Sequence, residues 1–135
     1  MRVGLAAAHG LAIGWGIPVT GYSSLALIAA GAAGPHPVAV ALQGGHGQLF
    51  VQTYGADPLV PLDTLQSLSP EDAAAAIDAS IVAGSGAEEL VKVRGHGEAF
   101  EAAIRAADAR LLPETLRDLP PRPIYGRAPD AKPMQ

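Results

Sequence analysis

The sequence predicts an α/β domain: a mixed sheet that contains an antiparallel hairpin, with helices flanking it. Segments with helical periodicity alternate with short apolar segments of the kind that form buried strands. Two of those apolar segments flank a glycine-rich turn, which is typical of a hairpin. The 135 residues include 16 Gly and 12 Pro, with the glycines spread through the apolar segments, which is typical of a compact, turn-rich domain. Strands separated by helices in this way predict a layered α/β sheet.

The first predicted elements are two helices joined by a short strand. Residues 3–15 are almost all small or apolar, which favours a helix that is buried on most sides. IPVTGYSS (17–24) predicts a short strand, and Ser23 or Ser24 is expected to cap a second helix that ends near Ala33.

A hairpin is predicted next. PHPVAVAL (35–42) has the composition of a buried strand, QGGHG (43–47) that of a turn, and QLFVQTYG (48–55) that of a returning strand. Pro58 and Pro61 then restrict the following segment to an edge strand or a loop, because proline cannot donate to a sheet ladder.

The second half continues the alternation. SPEDAAAAIDA (69–79) predicts a helix with Ser69 as N-cap, and SIVAGSGAEELVKV (80–93) predicts a strand, a glycine turn and a helix. GEAFEAAIRAADARLL (97–112) predicts a helix that leads into a short strand at ARLL. We therefore expect one domain over residues 1–119 and a proline-rich tail over 120–135, where regular helix is excluded.

Charge is sparse and unevenly distributed. Arg2 is the only Asp, Glu, Lys or Arg before Asp57, and charged residues make up 16% of the chain. The net charge of -4, with no Lys/Arg cluster, argues against direct contact with nucleic acid. The lack of cysteine excludes disulfides and favours a cytoplasmic location. No uninterrupted apolar run is long enough for a membrane-spanning helix, so no membrane association is expected.

Four segments, in order, resemble the TsaB (YeaZ) family. They are RVGLAAAHGLAIGWGIPVTGYSSLALIAA (2–30), VAVALQGGHGQLFVQTY (38–54), VAGSGAE (82–88) and PRPIYGRAPDAKP (121–133). The resemblance implies the second-lobe portion of an actin-like or sugar-kinase-like (ribonuclease H-like) fold, in a chain that lacks the family's N-terminal lobe. It departs from the family in the hairpin turn, where Gln43 to His46 replace Asp-Ala-Arg-Arg, and in the tail, where Gly126 replaces a leucine and is expected to weaken anchoring.

The resemblance also implies a function. It implies a scaffold that has no catalytic activity and no cofactor. Such a scaffold pairs with a TsaD-type transferase subunit in threonylcarbamoyladenosine modification of tRNA. It also helps to recruit a TsaE-type ATPase. No enzymatic activity is therefore expected of this chain.

The uncharged first helix is the predicted partner surface, since the family uses this helix for pairing. Its small residues allow another backbone to approach closely, and an exposed apolar face of this kind also predicts that the isolated chain forms a homo-oligomer. The alternative is that the helix forms the centre of the domain core, where charge would be absent for a different reason. The predicted contact residues are Val3, Ala6, Ala7, Gly10, Ile13 and Gly14.

A second function class is a small nucleotide- or phosphate-binding domain. Gly84, Ser85 and Gly86 lie between a predicted strand and a predicted helix, where backbone amides can bind phosphate. Against this hypothesis, no lysine follows the turn, and Glu88 and Glu89 would repel an anion. A third hypothesis is that the chain is a folding unit without activity of its own.

Neither a catalytic residue nor a metal site is predicted. Ser23 and Ser24 are explained as helix caps, and acidic residues in a first helical turn are explained by the helix dipole. The histidines lack the paired spacing of metal ligands; they are His9, His36, His46 and His96.

Overall fold

The computed structural model describes residues 2–32 and 34–126. The helices are α1 (Arg2–Trp15), α2 (Ser24–Ala32), α3 (Pro70–Ala76), α4 (Ala87–Arg94) and α5 (Glu114–Arg117), with a 3-10 helix over Ala106–Leu111. The strands are β1 (Val38–Gln43), β2 (Leu49–Gly55), β3 (Val60–Pro61), β4 (Gln66–Leu68), β5 (Ile81–Ala83) and β6 (Glu98–Phe100). The mixed α/β class predicted from the sequence is confirmed.

Within the described residues, the six strands form one mixed sheet in the order β3-β2-β1-β5-β6, and β4 pairs with β2 beside β3. β1 and β2 form the predicted antiparallel hairpin, in a register that pairs Val38 with Tyr54 and Gln43 with Leu49. β5 runs parallel to both β1 and β6. The helical connection through α3 between the hairpin and β5 is what parallel pairing requires.

The core has two apolar layers, because alternate side chains of a strand point to opposite faces of the sheet. Val38 and Val40 of β1 pack with α2 on one face. Ala39 and Ala41 pack with residues of α3 and α4 on the other. On the α2 face, burial raises the pKa of Tyr54 to about 12, and a hydrogen bond with the Ser23 hydroxyl opposes part of that rise.

Two of the predicted helix starts are confirmed. Ser69 caps α3, since its hydroxyl accepts a hydrogen bond from the Asp72 amide at 3.1 Å. Ser23 rather than Ser24 caps α2, because the Ser23 hydroxyl accepts from the Leu25 amide at 3.2 Å. α2 ends at Ala32, and Ala33, the predicted end, lies outside the described residues.

Two predictions of secondary structure are wrong. Residues 17–24 form no strand, and only an isolated bridge joins Gly21 to Leu119. The segment 97–112 forms β6 followed by the 3-10 helix, which includes most of the predicted ARLL strand. Helix propensity is a weak signal, and pairing with β5 outweighs it at Glu98–Phe100.

The proline-rich tail is described as far as Gly126, so the division at residue 119 stays a prediction. A Cβ atom at Gly126 would lie 2.6 Å from Cδ1 of Phe50. Because Gly126 has no side chain, the tail backbone can lie directly against the Phe50 ring. This contact differs from the weaker anchoring that was expected at this position. No helix of the described ranges is both long and apolar enough to cross a membrane.

Candidate functional site

α1 is a surface helix. Among its described residues only Ala12 is buried, while Val3 is 85% and Ile13 82% exposed. The predicted burial on most sides, and with it the alternative of a central core helix, is wrong for this structure. A helix in the domain core and a helix that binds a partner can have the same apolar composition. The sequence therefore did not decide between a core helix and a partner surface.

The six predicted contact residues lie on one exposed stripe of α1. Positions 3, 6, 7, 10, 13 and 14 recur at intervals of three and four, which places them on the same side of a helix. All six are exposed, and a Cβ atom added at Gly10 or Gly14 would meet nothing within 4 Å. The structure shows that these six residues are accessible, and their role in binding stays a prediction.

Sequence reasoning missed part of the exposed apolar surface. Leu11, Trp15 and Ile17 are 52%, 67% and 53% exposed and extend the apolar area around and beyond the stripe. Trp15 is the only tryptophan of the chain, and tryptophan is enriched at protein interfaces. That enrichment was the signal available in the sequence.

A cavity of about 420 Å³ lies on the other side of α1. It separates Leu5 and Ala8 of the helix from the loop before α2 and from the tail. The wall is mainly apolar, and Ser23 and Ser24 are among its lining residues. α1 therefore does not pack tightly on the domain along its inner side.

The glycine turn of the nucleotide hypothesis is engaged by its own domain. The Gly86 amide donates to the Ala41 carbonyl oxygen at 2.9 Å, and the Gly84 amide donates to that of Phe100 at 3.0 Å. The Ser85 hydroxyl accepts from the Gln43 amide at 3.0 Å. These bonds fasten the turn to the sheet and leave the amides of Gly84 and Gly86 without a free hydrogen for phosphate.

Charge at the turn also opposes an anion. Glu88 and Glu89 occupy the first turn of α4, and the described first turn contains no basic residue. The Glu89 carboxylate accepts a hydrogen bond from the Gln43 side-chain amide at 2.7 Å. Gln43, one of the positions where the chain departs from the family pattern, therefore has a polar role of its own between β1 and α4.

We expect no binding of ADP or ATP up to millimolar concentration. The reason is that the Gly84 and Gly86 amides are already bonded and two carboxylates flank them. Isothermal titration calorimetry measures this directly, and Glu88→Lys is the informative variant because Glu88 is exposed and its replacement leaves the packed glycines intact. Micromolar affinity that Glu88→Lys strengthens would contradict the expectation and favour the nucleotide-binding alternative.

The four histidines lie in four different parts of the described structure. His9 lies on α1, His36 before β1, His46 in the hairpin turn and His96 after α4. In the part of the chain that the structure describes, no three His, Asp or Glu side chains are grouped as a metal site would need.

The chain matches a known protein family over most of its length. Residues 1–101 match the family model described as TsaD: tRNA N6-adenosine threonylcarbamoyltransferase. No curated protein matches the chain by sequence.

Two solved structures are similar to this one over most of its length. YeaZ from Pseudomonas aeruginosa superposes with a TM-score of 0.68 at 25% identity, covering 79% of this chain and 55% of the YeaZ chain. A protein from the same organism, described as uncharacterized with similarity to peptidase YeaZ, superposes with a TM-score of 0.71 at 25% identity, covering 93% of this chain and 67% of the other. The chain thus has the actin-like, ribonuclease H-like fold of these structures and spans about half the length of the first.

Proposed function

We propose that this chain, which belongs to the family described as TsaD: tRNA N6-adenosine threonylcarbamoyltransferase, is a non-catalytic scaffold in threonylcarbamoyladenosine modification of tRNA. In this proposal it pairs with a TsaD-type transferase subunit through α1. The scaffold assignment is supported by the similarity to YeaZ structures. Sequence segments that resemble the same family begin at residue 2. Recruitment of a TsaE-type ATPase remains part of the same proposal.

The single observation that carries the proposal is the exposed apolar stripe of α1. Single exposed hydrophobic residues are common on protein surfaces, but contiguous apolar patches usually mark an interaction site. Here Val3 and Ile13 stand almost fully exposed at the two ends of one stripe, with only Ala and Gly between them. No Asp, Glu, Lys or Arg occurs from residue 3 to residue 56 to favour hydration of this surface.

The shape of the stripe indicates what kind of partner it fits. Gly10 and Gly14 have open space above them, and alanines occupy positions 6 and 7, so the stripe is a shallow groove between two larger side chains. Helices pack by inserting ridges of side chains into such grooves, at interaxial distances of about 8–10 Å. A second helix with bulky apolar residues would complement it, whether from a TsaD-type subunit or from another copy of this chain.

The proposal predicts that the isolated chain associates through α1 and that Gly10→Glu yields a monomer. The glutamate would place a charge in the middle of the apolar contact. Because glycine is the poorer helix former, the substitution does not weaken α1 itself. Light scattering at tens of micromolar measures the mass, with a dimer or larger species expected for the parent chain.

Gly10→Ala is the matched control, since it improves helix propensity without adding charge. It should keep the parent's association state, because one methyl group still leaves the groove open. A parent chain that is monomeric at this concentration would contradict the proposed interface.

A further inference from the structure

We propose that the segment Leu119–Tyr125, here named the strap, is the element that holds α1 in place on the domain. The strap runs antiparallel to the N-terminal part of the chain: successive positions along it contact Gly21, then His9, then Arg2. It is thus a positioning device for the helix that carries the exposed stripe. The strap itself does not depend on the proposed function; only its consequence for pairing does.

The base of the strap is fixed by the backbone. The Gly21 amide donates to the Leu119 carbonyl oxygen at 2.7 Å, and the Leu119 amide donates back to Gly21 at 3.0 Å. Two residues later the Nε2–H group of His9 donates to the Pro121 carbonyl oxygen at 2.9 Å. His9 is in the middle of α1, so this bond ties the helix to the strap halfway along its length.

The end of the strap binds the start of α1. Nε of Arg2 donates to the Tyr125 hydroxyl at 2.7 Å, and the Arg2 guanidinium carbon lies 5.5 Å from the centroid of the Tyr125 ring. The next residue, Gly126, lies against the Phe50 ring of β2, which anchors this end on the sheet. The dimensions agree, because seven residues of helix and four residues of extended chain each span about 10–13 Å.

α1 needs such a support for two reasons. It makes only sparse contacts with the other helices and strands, and a cavity lies beneath it. A helix of 14 residues is marginal on its own in water, and glycines at positions 4, 10 and 14 weaken this one further. Gly16, with a φ of +64°, follows immediately and gives the chain a turn about which an undocked helix would move.

The composition of the strap suits this task. Pro120, Pro121 and Pro123 have fixed φ angles, so little backbone entropy is lost when the strap is laid along the helix. Its specific links are polar and lie at the protein surface, whereas the domain core is formed by α2, α3, α4 and the sheet. Loss of the links is therefore expected to free α1 without unfolding the sheet.

The test is hydrogen exchange of the full chain carrying His9→Ala and Tyr125→Ala together. Exchange of the α1 amides should accelerate by about tenfold or more, while β1 amides keep the protection of the parent chain. Since alanine is the better helix former, the His9 substitution cannot cause this by lowering intrinsic helicity. Fluorescence anisotropy of Trp15, the only tryptophan, should fall in parallel because it reports on α1 alone.

The matched control is His36→Ala with Phe100→Ala, which removes one exposed imidazole and one half-exposed aromatic ring away from the strap. It should leave α1 exchange at the parent rate. Unchanged α1 exchange in the strap variant, or equal acceleration in the control, would overturn the proposal. Should β1 protection also fall, the single variants His9→Ala and Tyr125→Phe decide. Each removes one of the two side-chain hydrogen bonds, and unchanged α1 exchange in both would equally overturn the proposal. A chain that fails to bind any TsaD-type subunit would leave this result standing.

Discussion

Replacing Gly84 with alanine is expected to lower the free energy of unfolding by about 3 kcal/mol. Gly84 has a φ of +118°, which L residues rarely adopt, and a Cβ atom there would collide with the Ala41 carbonyl oxygen. The colliding atom is backbone of a central strand, so it cannot move aside as a side chain would. Urea denaturation measures the effect as a lower midpoint with an unchanged slope.

Gly95→Ala separates the cost of the positive φ angle from the cost of the collision with backbone. Gly95 also has a positive φ, +85°, at the C-cap of α4, but a Cβ atom there would meet nothing within 4 Å. This variant should lose only about 1 kcal/mol, the usual cost of replacing glycine in the left-handed conformation. Equal losses in the two variants would show that close packing on β1 does not determine the cost at Gly84.

The packing of Gly84 bears on function as well as on stability. Glycines between a strand and a helix suggested a phosphate site, yet Gly84 and Gly86 are the residues that let the turn approach β1. At Gly86 a Cβ atom would lie 2.7 Å from Cδ2 of Leu49. Packing therefore accounts for both glycines, and no ligand is needed to explain them.

Local signals in the sequence were sufficient for some elements. The hairpin of β1 and β2 was predictable because a buried apolar strand, a glycine turn and a strand with β-branched and aromatic residues follow one another directly. The start of α3 was predictable because Ser69 and Pro70 act within one helical turn. In each case the determining contacts lie between residues close in sequence.

Other elements depend on contacts that the sequence does not display. Glu98–Phe100 has an alanine-rich context typical of a helix, and it becomes a strand only because β5 offers an unpaired edge. The six residues of the α1 stripe were predicted as partner contacts, but whether they are exposed depends on where the rest of the domain packs. The strap was not foreseen, because a carbonyl oxygen of Pro121 carries no sequence signal and Arg2 and Tyr125 are 123 residues apart.

The second large effect expected is on tRNA modification in the cell. The similarity covers 55% of the YeaZ chain. If pairing uses two helices of the family fold and residues 1–135 supply α1 as one of them, these residues present about half of the pairing surface. An interface of standard size buries about 800 Å² per partner, and its affinity depends on a few central contacts. Each loss of about 1.4 kcal/mol lowers affinity tenfold.

We therefore expect residues 1–135 to bind a TsaD-type subunit far more weakly than an intact TsaB does, and not to restore threonylcarbamoyladenosine in a strain depleted of its own TsaB. Mass spectrometry of nucleosides from total tRNA measures the modification, with an intact TsaB as positive control. Gly10→Glu and Gly10→Ala are supplied in parallel at matched expression. If the residual binding uses the α1 stripe, the TsaD-type subunit should retain the Gly10→Ala variant in a pull-down but not the Gly10→Glu variant. Normal levels of the modified nucleoside with residues 1–135 would contradict the expectation, since α1 and the domain behind it would then supply the whole pairing surface.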